Sequence, residues 1–337
     1  MGIRKVQKVG KSTYTVSLPH EWVKARSLTP KTEVDIQTLP DGSLKVSTLE
    51  VLKNEAKTKE VVISSKDPDA GFLTRRALAA YISNYDIIKL DFSGVSMEAG
   101  GREKIRRTIK YKMAGAEIIE ETVNQITIQV LLRPYEFPLD KLLLRMATMA
   151  HDMMLDIGKA MQSKDVDVLK DVMGRDEDVD KLYFMGCRWL TSMINDQSAL
   201  QNYGLREAKD CLEYRLVFRH IERVADHVFR IASNFLEATE DMEKDLRASI
   251  LEVLDRAANV FMRSVNCLQS GSLVEANKAI HDTRKVIVSG EDLTKKVVDG
   301  KLPAKSVGAL IIIIDSIKRI AEYGMGISEI AFNVHVE

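Results

Sequence analysis

His220-Ile221-Glu222-Arg223-Val224-Ala225-Asp226-His227 reappears in weaker form as Ser316-Ile317-Lys318-Arg319-Ile320-Ala321-Glu322-Tyr323, nearly a third of the chain further on. A repeat of that length marks a duplicated helical unit. Gln162-Ser163 and Gln269-Ser270 match in the same way. From Pro138 almost to the end the apolar spacing is helical, and six segments are predicted: Leu139 to Ser163, Val166 to Asn195, Leu205 to Ala238, Met242 to Ser270, Leu273 to Asp299, and Ala304 to Val334. Turn chemistry separates them at Ser163-Lys164, Tyr203-Gly204, Ser270-Gly271 and Gly300-Lys301-Leu302-Pro303. Two three-helix units in tandem follow, since each has an apolar face that the other can cover.

The rest of the chain reads differently. Its 337 residues exceed the usual size of one domain, so two or three are expected. The first 48 residues predict short strands at Arg4 to Val9, Ser12 to Leu18, Glu33 to Thr38 and Leu44 to Ser47, with a short helix at Pro19 to Lys24. Four such strands bury too little surface to stand alone, which implies a partner, most simply the same segment of a second chain. After a polar linker, Glu60 to Ser65, Ile87 to Phe92, Glu117 to Glu121 and Ile126 to Leu132 read as strands. Gly71 to Ser83 and Glu103 to Met113 read as helices. This βαβαββ order predicts a small α/β sandwich ending at Arg133-Pro134. Gly100-Gly101 lacks the remainder of a phosphate loop and reads as a capping turn.

Net charge is zero, with 49 basic and 49 acidic residues, so the molecule as a whole has no bias toward nucleic acid or membrane. The bias is local. Residues 1 to 31 hold Arg4, Lys5, Lys8, Lys11, Lys24, Arg26 and Lys31 against Glu21 alone. Cys187, Cys211 and Cys267 are odd in number and far apart, which predicts buried reduced thiols rather than a disulfide framework or zinc site. Residues 1 to 11 lack the apolar segment of a signal peptide, and the longest apolar run, Val307 to Ile314, falls well short of the ~20 residues that span a bilayer. A soluble, cytoplasmic protein without membrane insertion is expected. Neither a Ser/His/Asp nor a Cys/His arrangement stands out, so catalysis is not indicated.

On the third bundle helix, Val217, Ile221, Val224, Val228, Ile231 and Phe235 form a core stripe. Glu222 and Asp226 lie four residues apart on another face, with their carboxylates side by side. Two adjacent anions need a cation between them or arginines beside them. A hard or borderline metal ion is one solution. Arg219, Arg223 and Arg230 provide the other, an ion-paired and solvated face. The preceding helix holds Asp176 and Asp180, which a bundle can bring toward Glu222 and Asp226. In the second copy Lys318 replaces one of the pair, leaving Asp282 and Glu322 as candidate remnants of a second cluster. The chain has no Glu-x-x-His, which argues against a ferritin-like di-iron oxidase.

Glu222-Arg223-Val224-Ala225-Asp226-His227, followed by Ile231-Ala232, resembles the signature of PhoU proteins, over residues 138 to 337. That resemblance implies two tandem three-helix repeats, about 138 to 240 and 241 to 337, and a negative regulator of phosphate uptake. It also implies metal-ligand roles for Glu222 and Asp226, with the ion an Fe, Zn, Mn or Mg. The N-terminal segment, through Arg4-Lys5-Val6, Gly10-Lys11-Ser12, Leu18-Pro19, Glu21-Trp22-Val23 and Asp41-Gly42-Ser43-Leu44, resembles the AbrB/SpoVT swapped-hairpin domain. It is most similar to the form fused to PhoU domains in archaeal phosphate-uptake regulators. In that fold two chains interleave into one β-barrel and contact DNA through basic residues, which here match Arg4, Lys5, Lys8, Lys11 and Lys24.

The expected architecture is multidomain and mainly α. Residues 1–48 form a swapped-hairpin DNA-binding and dimerisation domain, 58–134 a small α/β domain of unknown role, and 138–337 a PhoU-like helical domain. The expected function is a homodimeric, DNA-binding transcriptional regulator of phosphate homeostasis with a metal-binding sensor bundle. The rival is an adaptor that binds a phosphate transporter ATPase or a sensor kinase and uses the barrel only to dimerise.

Overall fold

The computed structural model describes residues 3–38, 42–48, 58–64, 66, 69–94, 97–132, 137–194, 199–200, 203–238 and 242–336. The chain divides into two compact units, Met1–Thr58 and Lys59–Glu337.

In the first unit, β1 (Gln7–Val9) pairs antiparallel with β2 (Thr13–Thr15) around Gly10, whose φ of 70° suits a residue without Cβ. Helix α1 (His20–Ala25) follows Pro19, and β3 (Val34–Thr38) pairs with β4 (Leu44–Thr48). The two hairpins form separate two-stranded sheets. Both strands of the first are shorter than the alternation predicts, because Arg4 to Val6 and Val16 to Leu18 have no ladder partner. Arg4 donates instead to the Ser17 hydroxyl at 3.0 Å. Val6, Val9, Tyr14, Val16, Ile36 and Leu44 are each more than half exposed. Among the described residues of this unit no apolar side chain is buried.

The second unit opens with an α/β layer: β5 (Glu60–Ser64), α2 (Ala70–Ile82), β6 (Ile87–Asp91), α3 (Gly101–Lys112), β7 (Ala116–Glu121) and β8 (Gln125–Val130). The sheet order is β5-β6-β8-β7, with β5 and β6 parallel and the remaining pairs antiparallel. Alternate residues Ile63, Ile88, Leu90, Ile126 and Ile128 pack under Leu73, Ala77, Tyr81, Ile105 and Ile109 of the helices. Asp69 starts α2 by accepting from the Gly71 amide at 2.7 Å, and Gly100 at φ 77° starts α3.

Six long helices complete the unit: α4 (Leu139–Ser163), α5 (Val166–Met193), α6 (Ala208–Ala238), α7 (Lys244–Ser270), α8 (Leu273–Asp299) and α9 (Ala304–Val334). Lys164 in the left-handed region and Asp165 as N-cap make the α4–α5 break, while Gly271 ends α7. Helix α6 begins three residues later than the periodicity predicts. The Asp210 carboxylate accepts from the Arg206 and Glu207 amides at 2.7 and 3.3 Å, holding both outside the helix. The predicted end of α5 at Asn195 lies outside the described residues. The predicted stripe of α6, from Val217 to Phe235, is fully buried in one continuous core with Met146, Met153 and Met154. His227 and Tyr323, at equivalent positions of the repeated stretch, pack ring against ring at 5.7 Å. All three cysteines are free and buried. Among the described residues no helix is long and apolar enough to cross a membrane.

Candidate functional site

Four carboxylates converge between α5 and α6. Asp176 and Asp180 are one turn apart on α5, as Glu222 and Asp226 are on α6. The four interact electrostatically across the gap. Burial, then the charges of Asp180 and Asp226, push the Asp176 carboxyl up to about 7. Burial, then Asp226, push Glu222 up to about 7 as well. Burial also raises Asp226, against the pull of Arg223.

Three cations answer these four anions. Arg219 donates to Glu222 Oε1 at 2.8 Å, Arg223 to Asp226 Oδ2 at 3.0 Å, and Lys112, from α3, to Asp180 Oδ2 at 2.9 Å. Arg219 is held in turn over the Tyr183 ring, 5.6 Å from its centroid. Glu222 Oε2 is left buried without a hydrogen bond, with Arg223 Nε 3.9 Å away. An unpartnered carboxylate oxygen in a side chain only 10% exposed is costly. Among the described residues, however, no three His, Cys, Asp or Glu side chains are gathered so as to hold an ion.

The second repeat places other chemistry at the equivalent positions. In the register set by Gln162-Ser163 and Gln269-Ser270, Asp176 corresponds to Thr283 and Asp180 to Ile287. Thr283 is fully buried and donates to the carbonyls of Ala279 and Ala321. Lys318 lies 3.6 Å from Asp315, and Glu322 accepts from Arg319 at 2.9 Å. Asp282 accepts from Lys285 and Arg263, both at 2.7 Å, which holds its carboxyl below the usual range. The Arg263–Asp282 pair joins the first two helices of its repeat, as Arg175 and Asp156 do in the other at 2.6 Å, with the charges exchanged. Asp282 therefore has a local role that needs no ion.

His227 follows Asp226 but faces α9. Burial, then Arg230, bring its imidazole down to about 4, so it is neutral and packs on Tyr323. Of the basic residues singled out at the N-terminus, Lys8 and Lys11 belong to the β1–β2 hairpin, Arg4 and Lys5 to the segment before it, and Lys24 to α1. All five are exposed. Lys8 reaches toward Tyr14, 6.0 Å from the ring centroid, and among the described residues none of the five is in an ion pair.

Sequence reasoning missed two basic residues. Lys112 carries no local signal, because its partner is 68 residues away in sequence. Arg188 does carry one: it interrupts the apolar run Met185-Gly186-Cys187-Arg188-Trp189-Leu190. It is 2% exposed and donates to the carbonyls of Tyr81 and Tyr85 and to Asp86, fastening the α/β layer to α5.

Residues 143–235 match the family described as PhoU domain, and residues 7–51 match the family described as antidote-toxin recognition MazE, bacterial antitoxin. No curated protein matches the chain. The phosphate transport system regulatory protein PhoU from Streptococcus pneumoniae superposes with a TM-score of 0.51 at 15% identity. The match covers 59% of this chain and 93% of that one, and it establishes a shared fold. Residues 143–235 are thus similar to a PhoU domain and residues 7–51 to a MazE-type antitoxin domain.

Proposed function

We propose that this chain is a DNA-binding transcriptional regulator of phosphate uptake or homeostasis. Residues 1–48 bind DNA as a dimer, and the PhoU-like bundle, residues 138–337, senses through a metal ion. The observation that carries the reading is the state of the first unit. A hairpin with two exposed lysines, preceded by exposed Arg4 and Lys5, lies in a fold that leaves Val6, Val9, Tyr14, Val16, Ile36 and Leu44 open. A second copy that interleaves its strands into one barrel covers those side chains and doubles the basic surface. Each phosphate contacted by a lysine or arginine then adds salt-dependent affinity.

The acids between α5 and α6 supply the oxygen donors that a hard divalent cation prefers, but as they stand they are engaged by Arg219, Arg223 and Lys112 and, among the described residues, are not gathered around one position. One of their oxygens is buried without a hydrogen bond, and these anions outnumber the cations beside them. Glu222 and Asp226, with Asp176 and Asp180, are the residues that would hold the ion. Arg219, Arg223 and Lys112 must release oxygens for it. When bound, the ion supplies charge that neutralises the cleft and coordination positions that accept phosphate oxygens. Asp282 and Glu322, engaged with basic side chains, are left out of the site.

A second reading is favoured by the same open apolar surface. The first unit dimerises only, and the chain is a cytoplasmic adaptor for a phosphate transporter ATPase or a sensor kinase. The test is equilibrium binding of the full chain, and of a Lys8→Ala, Lys11→Ala variant, to DNA from upstream of its own and neighbouring genes at two salt concentrations. The regulator reading predicts that one fragment is preferred, that affinity falls steeply with salt, and that the variant binds at least ten-fold more weakly with a shallower salt slope. No binding at either salt concentration rejects it in favour of the adaptor.

A further inference from the structure

The sheet of the α/β layer has two edges, and they are finished differently. β7 forms one. It carries Glu117, Glu120 and Glu121, and its register with β8 shifts between Ile118 and Glu120. A bulge and a run of like charges keep an edge strand from pairing with another chain. β5 forms the other edge, and among the described residues nothing pairs with its outer side. Its ladder with β6 is regular from Glu60 to Ser64, with neither bulge nor proline. Glu60, the one charged side chain of the strand, is answered within the chain by Lys89 at 2.7 Å, and Val62 is 55% exposed.

Neighbouring hydrogen bonds fix the direction of the free backbone groups. Lys59 turns both its amide and its carbonyl toward β6, donating to Asp86 at 2.9 Å and accepting from the Ile87 amide at 3.1 Å. Backbone groups alternate along a strand, so Glu60, Val62 and Ser64 direct theirs outward. The Ser64 carbonyl agrees, since it accepts from the Arg76 side chain of α2 at 3.2 Å and not from β6.

This edge is complementary to itself. When two copies of β5 lie antiparallel and centred on Val62, Val62 meets Val62, Val61 meets Ile63, and Glu60 meets Ser64. No like charges face each other, and the outward groups of Glu60, Val62 and Ser64 are the ones that exchange hydrogen bonds. Two copies of β7 would instead bring two sets of glutamates together.

We propose that β5 is an interaction edge whose occupant is β5 of a second copy of this chain, so that two four-stranded sheets join into one. The Val62 side chains cover each other on the outer face of the joined sheet, and Val61 and Ile63 continue the apolar layer on the helix side. This pairing goes beyond the function proposed above and does not depend on the interleaving of residues 1–48.

The test uses the full-length protein. Val62→Cys supplies an exposed thiol in a chain whose own three cysteines are buried. The Cα atoms of a hydrogen-bonded antiparallel pair lie about 5.5 Å apart, within disulfide range. Ile119→Cys, on β7 at 53% exposure, measures collision alone. Mild oxidation should link most Val62→Cys chains into covalent dimers, several-fold more than Ile119→Cys chains. Residue-resolved hydrogen exchange of the wild type should be slow at the Glu60, Val62 and Ser64 amides. Val62→Pro removes one outward N–H and leaves the β6 ladder intact, and it should return the Glu60 and Ser64 amides to fast exchange. Equal cross-linking of the two cysteine variants overturns the proposal, as does fast exchange at the three amides of the wild type. Slow amides without a disulfide at position 62 also overturn it, because something other than a second β5 would then cover the edge.

Discussion

The cleft between α5 and α6 and its counterpart between α8 and α9 are built on one plan and hold opposite chemistry. Asp176, Asp180, Glu222 and Asp226 in the first repeat become Thr283, Ile287, Lys318 and Glu322 in the second. The first set leaves an orphaned oxygen and carboxyls pushed up by burial and by one another. The second resolves its charges locally, through Lys318 with Asp315 and Arg319 with Glu322. What the repeats share is therefore packing, and what distinguishes them is where unbalanced charge is kept. Unbalanced buried charge is destabilising, so its concentration in one repeat points to use rather than architecture.

The largest effect that sharpens this contrast comes from two glycines. A Cβ on Gly186 would lie 2.7 to 2.9 Å from ring carbons of Phe218, a rigid and fully buried side chain. A Cβ on Gly290 would lie 2.7 and 2.8 Å from the Lys318 stem, which can swing away. Gly186→Ala should cost about 2–3 kcal/mol in urea unfolding. Gly290→Ala should fall within about 1 kcal/mol of wild type, because gained helix propensity offsets the adjustment. Equal costs would mean that the second repeat is packed as rigidly as the first.

Next in size is the pH dependence of the ion-free protein. Asp176 and Glu222 titrate near 7 when folded and near 4 when unfolded, so the native state holds extra protons between those values. Their contribution is present below about pH 4 and is lost as pH rises toward 7. Unfolding free energy in chelator should therefore drop between pH 5 and pH 7.5 by an amount on the order of 1 kcal/mol. Glu222→Gln should flatten that slope and Glu322→Gln should not. A slope that Glu322→Gln removes would place the strained charge in the wrong repeat.

Much of this contrast was legible in the sequence. The Lys318 substitution is visible in the repeated stretch, and the helical breaks at Ser163-Lys164 and Ser270-Gly271 fall where left-handed residues end α4 and α7. Periodicity is a local signal, and long amphipathic helices carry it strongly. The strands of the first unit were overdrawn at Arg4 to Val6 and Val16 to Leu18, because alternation does not say whether a ladder partner exists within one chain. The cations of the cleft were half legible. Arg219 and Arg223 stand three residues from their carboxylates, whereas Lys112 reaches Asp180 only through the packing of α3 on α5. Nor does spacing distinguish Asp282, an interhelical ion-pair partner, from a ligand, since its partner Arg263 lies on another helix.

The smallest expected effect is that of Lys318→Glu, which restores two acids one turn apart in the second repeat. It should cost about 0.5 kcal/mol, from loss of the Asp315 contact and repulsion by Glu322. It should add no ion per chain in a Mn2+ titration, because Thr283 and Ile287 offer no carboxylates opposite. A second bound ion would show that one helix face suffices, contrary to the convergence of α5 and α6 argued above.

The most direct test of that convergence is anomalous diffraction at the manganese edge from crystals of the full chain grown with Mn2+. The predicted map has a peak between α5 and α6, against Glu222 and Asp226, and none between α8 and α9. A peak beside Glu322 or Asp282, or none at Glu222, would contradict the account.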